Sequence, residues 1–178
     1  QSTWNEAGRW QGQEDPPLTD AGMLQAATAI NSELAAVYTQ VLVGSESLYA
    51  DAGQTTKITA ATAWQDVYDS GGNSAGLVNG DTVTFSGTAR NGAGISGSYQ
   101  INDVATDTVQ GLLSAIETAF GNQATAAIDA EGRIVVTDKT AGSSNLSFSF
   151  DSLPHALDFG TVTTANTGGR QGRYGMDI

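Results

Sequence analysis

There is no cysteine in the 178 residues, so neither a disulfide framework nor a thiolate metal site can form. Histidine is almost as scarce: His155 is the only one, which rules out zinc sites built on three histidines or on an HExxH helix. No GxSxG elbow precedes a helical pattern, so a serine nucleophile for a histidine-based triad is missing as well; His155 reads as a surface or turn residue. Positive charge is short. Seven Lys and Arg face nineteen Asp and Glu, a formal charge of −12 that repels phosphate backbones and anionic lipid. Neither nucleic acid nor membrane is an expected partner. No apolar run approaches the roughly 20 residues needed to cross a bilayer, and the opening QSTWNEAGRW has neither the basic nor the apolar region of a signal peptide. The chain starts at Gln1, which leads us to expect a processed form or an excised fragment. Only 15% of residues are charged, while Gly, Ser, Thr, Ala and Asn are plentiful, a composition frequent among extracellular β-rich proteins.

What is present is clearest in residues 80–150. Small polar residues alternate with Val83, Phe85, Tyr99 and Ile101 over 81–87 and 95–101, and the Asn91-Gly92 pair between them supplies the positive-φ backbone of a reversal, which predicts a hairpin. The period then changes. Val109, Leu112, Leu113, Ile116 and Phe120 recur at helical spacing, with Thr106 or Asp107 available as a cap and Gly121-Asn122 as a stop. Two further strands follow at 124–129 and 133–138 around a Glu131-Gly132 turn, and Leu146, Phe148 and Phe150 alternate with serines in a third. The expected class is α+β and β-rich: a mostly antiparallel sheet of two hairpins with one packed helix, in the order β-β-α-β-β-β, preceded by an N-terminal amphipathic helix.

That N-terminal helix is expected over residues 20–43, where Met23, Ala27, Ile30, Leu34, Val37 and Val41 recur in alternating steps of four and three. Before it, residues 1–18 run extended and carry Trp4 and Trp10. After it, residues 44–63 read as a polar linker with one short strand around 57–59. Trp64, Val67 and Tyr68 fit one helical turn that closes the end of the sheet. The expected domains are therefore 1–60 (extended segment, helix and linker), 61–165 (the β-rich domain) and 166–178 (a flexible tail).

Residues 67–92 (VYDSGGNSAGLVNGDTVTFSGTARNG), with TDTVQGLLSAIETAFGN, IDAEGRIVVTDKTAGSSNLSFSF and LDFG, resemble the β-α-β insert of bacterial flagellar axial proteins, hook protein above all, over roughly residues 64–160. The resemblance implies a structural component of the flagellum, extracellular and not an enzyme: the surface-exposed domain of a hook-type protein whose copies contact one another in a helical tube, with other axial proteins as further partners. Trp4, Trp10, Tyr49, Arg170, Arg173 and Tyr174 are the interface candidates on that reading. One departure stands out, since only residues 20–43 carry the heptad pattern that axial proteins show at both ends.

Two other function classes remain open. A surface adhesin or phage-type module would bind glycan or protein through Trp4, Trp10 and Trp64, with calcium at Asp66, Asp69 and Asp81 around a glycine-rich turn, although the spacing departs from an EF-hand loop. An enzyme of the paired-carboxylate type would use Asp129, Glu131 and Asp138. Asn145-Leu146-Ser147 forms an N-glycosylation sequon inside a predicted strand. No resident cofactor is expected.

Overall fold

The residues from Val37 onward contain two competing patterns, the helical spacing of Val37 and Val41 and a strict alternation of Gln40, Leu42 and Gly44. The alternation wins. In the structure, a computed structural model that describes residues 37–170, Val37–Gly44 is strand β1 with Gln40, Leu42 and Gly44 buried. VYTQVLVG is rich in β-branched and aromatic residues, which suit a pleated surface better than a helix. The last turns of the expected N-terminal helix are thus strand, and its residues 20–36 lie outside the described ones.

The remaining elements are a short 3-10 turn (Trp64–Asp66), β2 (Thr82–Thr88), β3 (Gly94–Gln100), helix α1 (Val109–Ala119), β4 (Ala124–Ile128), β5 (Ile134–Asp138), β6 (Ser147–Ser152) and β7 (Val162–Arg170). The class is α+β and β-rich, as the sequence predicts, with each element of the β-β-α-β-β-β core where its pattern places it. The strands form two sheets: four in the order β4-β5-β1-β7 and three in the order β3-β2-β6. β2 pairs antiparallel with both β3 and β6, and β5 with both β1 and β4. At the β1–β7 seam, the Ser45 amide donates to the Thr161 carbonyl at 3.1 Å while Gly168 lies against Gln40, so these strands also run in opposite directions.

Local chemistry explains the turns. In the β2–β3 hairpin only Gly92 takes a positive φ, 83°, while the Asn91 side chain accepts from the Ala93 amide at 3.0 Å. At the start of α1 the cap position is Thr108, whose side chain makes no capping bond. Asp107 instead accepts from the amides of Asn102 (2.8 Å) and Asp103 (3.3 Å), tightening the loop that enters the helix. Gly121 and Asn122, both at φ 59°, end the helix where the sequence predicts.

Val109, Leu112, Leu113 and Ile116 are at most 1% exposed, and α1 packs on β3 and β4, one strand from each sheet. An aromatic cluster lies on the buried side of the three-stranded sheet. The Phe148 ring lies 5.6 Å from Phe85, 6.3 Å from Phe120 and 5.0 Å from Phe150, and Phe150 stacks on Phe159 at 5.0 Å. Residues 44–63, expected as a linker, belong to this packed unit: Leu48 and Ile58 are buried, and the Tyr49 and Tyr68 backbones exchange two hydrogen bonds of 2.9 Å. Val37–Gly169 forms one compact unit. β7 runs through 166–170, the first residues of the expected tail.

Because Phe148 packs against Phe85 and Phe150 of its own sheet and against Phe120 at the end of α1, Phe148→Ala leaves a void that its neighbours cannot close. The substitution is expected to destabilise the protein by about 3–5 kcal/mol, read as a lower urea midpoint at unchanged slope.

Candidate functional site

Most of the carboxylates singled out by the sequence have a local partner of their own. Asp69 is a turn former: its Oδ1 accepts from the amides of Gly71 and Asn73, both at 2.8 Å, and its Oδ2 from Asn73 Nδ2 at 3.0 Å. The Asn73 side chain, then the two amides, hold its carboxyl below the usual range. Asp66 sits exposed in the 3-10 turn. Asp81 accepts from the Val78 amide at 2.8 Å and faces His155 Nε2 at 3.2 Å. Asp69 and Asp81 of the calcium trio are therefore engaged by separate backbone amides while Asp66 stands exposed, and among the described residues no three or more His, Asp or Glu side chains gather as they would around a metal ion.

The second trio is dispersed too. Asp129 accepts from the amides of Glu131 (3.0 Å) and Arg133 (2.9 Å) and forms an ion pair of 2.8 Å with Arg133, which also reaches Glu131 at 3.5 Å. Asp138 lies at the other end of the same hairpin, paired with Ala124 rather than with the turn. A carboxylate pair across a cleft, which glycoside hydrolysis requires, is not formed by these residues.

Asp138 has a different partner. Its position continues the buried side of β5, after Ile134 and Val136, and its side chain is 1% exposed. Arg90, in the turn between β2 and β3, donates to Asp138 Oδ2 at 2.9 Å, to the Ala141 carbonyl at 3.0 Å and to the Thr140 carbonyl. Desolvation pushes the Asp138 carboxyl upward, but hydrogen bonds from Ser144 and Thr140 and the Arg90 guanidinium outweigh it and hold the group below its ordinary value. Sequence reading missed Arg90. The available signal was an acid in the buried phase of a strand, which demands a cation or several donors.

The interface candidates divide. Tyr49 is half-buried, with Lys57 Nζ 3.6 Å from its ring centroid. Trp64, offered for ligand binding, is 1% exposed and donates from Nε1 to the Tyr99 hydroxyl at 3.3 Å, so it serves the core. Trp4, Trp10, Arg173, Tyr174 and the side chain of Arg170 lie outside the described residues. Asn145 of the sequon is exposed, although its amide group and backbone both donate to the Arg90 carbonyl.

A cleft of about 530 Å³ opens where β6 meets the end of β1 and the start of β7. That volume is within the range of small-molecule sites. Phe150, Leu153 and Val162 form its apolar wall, while Glu46 and Asp158 bring carboxylates to it. Gly160, at φ 71°, is what lets the two sides approach: a Cβ there would meet Ser45 Oγ at 2.1 Å and the Glu46 amide at 2.7 Å. Nothing in the polar spacing around Glu46 and Asp158 announced this site, because they are 112 positions apart in the sequence.

Comparison with known families gives one finding. Residues 1–67 match the family described as histidine phosphatase superfamily (branch 1), which is under half of the 178 residues. No curated protein and no solved structure matches the chain. The match overturns the expected kinship with flagellar axial proteins and, with it, the non-enzymatic structural role, the motility function and the helical self-assembly with other axial proteins. The adhesin alternative finds no support. The physical reason for the misreading is that glycine turns and apolar positions specify a small β/α unit, and such a unit carries no function by itself.

The Arg90–Asp138 pair predicts a pH dependence of stability. Asp138 titrates lower in the folded chain than in the unfolded one, whose value is about 3.9, so its contribution is fully present above that value and is lost as pH falls through the folded one. Urea midpoints should drop below about pH 4, and Asp138→Asn should flatten that drop. At neutral pH Arg90→Ala should cost about 3–5 kcal/mol by leaving a buried carboxylate without its cation.

Proposed function

We propose that residues 1–67 bind the phosphate group of a phosphate monoester, as part of a phosphatase- or mutase-type enzyme. The match of those residues to the histidine phosphatase superfamily carries this reading. The charge distribution agrees with it. A dianionic substrate approaching a chain of net charge −12 needs a local cation, and two arginines of the described unit are already committed, Arg90 to Asp138 and Arg133 to Asp129. Within the matched residues Arg9 is the only arginine, and a guanidinium is the side chain best shaped to hold a phosphate through two bonds.

Residues 1–67 contain no histidine. The chain's single imidazole, His155, takes a positive φ of 52° and turns its Nε2 to the Asp81 carboxylate. A carboxylate 3.2 Å from the ring repels an incoming phosphate dianion, so phosphate binding is assigned to the matched residues and not to His155.

Turnover of p-nitrophenyl phosphate by the full chain, and its inhibition by inorganic phosphate, test the reading. Arg9→Ala should reduce kcat/KM about a hundredfold, the usual effect of removing one charged donor from developing oxyanion charge. His155→Ala should leave it within about twofold, since loss of an exposed pair changes little. A full chain that neither turns over the ester nor binds phosphate overturns the proposal.

A further inference from the structure

We propose that the cleft between β6 and the β1–β7 seam binds a small organic cation, an ammonium group carried on an alkyl or aryl body. This proposal does not depend on the phosphate reading: the cleft takes Ser45 and Glu46 from the end of the matched residues and the rest of its lining from residues 149–162, and Arg9 has no part in it.

The argument begins with the sign of the charge. Glu46 and Asp158 both line the cleft and both are exposed, and among the described residues no lysine, arginine or histidine lines it with them. Asp158 holds its own loop through one oxygen, Oδ1 accepting from the Gly160 amide at 2.7 Å, and its second oxygen has no partner among the described residues. The Glu46 side chain makes no hydrogen bond or ion pair among the described residues, while its backbone is fixed by a 3.3 Å bond to the Phe159 carbonyl. Two carboxylates on anchored backbone, facing one open cleft, favour a cation and repel phosphate, carboxylate and sulfate.

The apolar wall then selects the kind of cation. A metal ion wants several oxygens converging on one point, and no such cluster of acids is found among the described residues. Phe150, Leu153 and Val162 offer carbon surface instead. The Phe150 ring is held by stacking on Phe159 at 5.0 Å and by an edge contact with Phe148 at 5.0 Å, so it is a fixed aromatic surface against which an ammonium and its hydrocarbon body can lie. Ser149 adds a hydroxyl at the rim, whereas Ser45 Oγ already accepts from the Thr161 amide at 3.0 Å. The aperture is preorganised, because the glycine contact at Gly160 fixes both walls to the same backbone crossing.

The test is a titration of the isotope-labelled full chain with three matched probes: benzylamine, benzyl alcohol and benzoate. Benzylamine should shift the amides of Glu46, Phe150, Leu153, Asp158 and Thr161 saturably. Benzyl alcohol should bind at least about fivefold more weakly and benzoate more weakly still, the difference a partly screened ion pair supplies. Glu46→Gln should weaken benzylamine by about the same factor without altering benzyl alcohol. Asp158→Asn keeps an acceptor for the Gly160 amide, so the loop is retained while the charge is removed, and the pair of substitutions should abolish the preference for the amine. Equal affinity for benzylamine and benzyl alcohol, shifts away from the cleft, no binding of benzylamine, or an amine preference that survives Glu46→Gln together with Asp158→Asn each overturns the proposal.

Discussion

The ion pair between Arg90 and Asp138 is the constraint on which the relation of the two sheets depends. Asp138 ends the buried phase of β5 in the four-stranded sheet, and Arg90 sits at the tip of the β2–β3 hairpin in the three-stranded one. A carboxylate with 1% exposure is costly to bury alone. It is tolerated because its donors come from the neighbouring sheet and from the loop leading to β6, so the charge can be satisfied only when the sheets are at their native spacing. The same guanidinium caps the Thr140 and Ala141 carbonyls, and the Arg90 backbone carbonyl takes the Asn145 amide at 3.0 Å. One side chain therefore ties the hairpin tip, the end of β5 and the approach to β6.

The cleft also draws on both sheets, since its lining comes from β6 and from the β1–β7 seam. β6 brings Phe148 inward to meet Phe85 and Phe120, and two residues on it brings Phe150 against Phe159 and the cleft. A second polar tie runs parallel to the first. The Gln40 side chain, buried in β1, donates to the Leu146 carbonyl at 2.7 Å, so the central strand of one sheet is hydrogen-bonded to the chain entering an edge strand of the other. Glu117 of α1 accepts from the Ala126 amide of β4 at 3.0 Å and anchors the helix that spans the sheets. Apolar burial supplies the driving force, and these few directional bonds decide which packing of two small sheets results.

The legible part of the fold was the part whose signals are local. Gly92, the Val109–Ile116 stripe and the Gly121-Asn122 stop each place an element through interactions spanning a few residues, and these elements appear where the pattern sets them. Positions whose role depends on distant partners were opaque. β1 read as helix because Val37 and Val41 satisfy a heptad, and only its pairing with β5 reveals that Gln40 and Leu42 face inward. Leu48 and Ile58 looked like apolar residues in a linker until the bond from the Ile58 amide to the Leu48 carbonyl (3.2 Å) closed their loop onto the core. The candidate acids failed for a related reason. Asp, Asn and Gly concentrate where backbone amides need acceptors, and this makes a turn former such as Asp69 or Asp129 resemble a ligand in sequence.

Function was less legible than fold, and the charge balance shows why. Composition alone argues that an acidic chain avoids anions, yet the family match over residues 1–67 concerns phosphate chemistry. Both statements hold once charge is treated locally, because screening confines an exposed charge to about 8–10 Å at ordinary ionic strength. Over that range the net charge of −12 matters less than which carboxylates already have a cation. Asp129 and Asp138 are neutralised by Arg133 and Arg90, whereas Glu46 and Asp158 are not paired among the described residues. The cleft is thus a place where unneutralised negative charge meets apolar surface. A phosphate ester requires the opposite environment, so a cleft of this character is not suited to hold one.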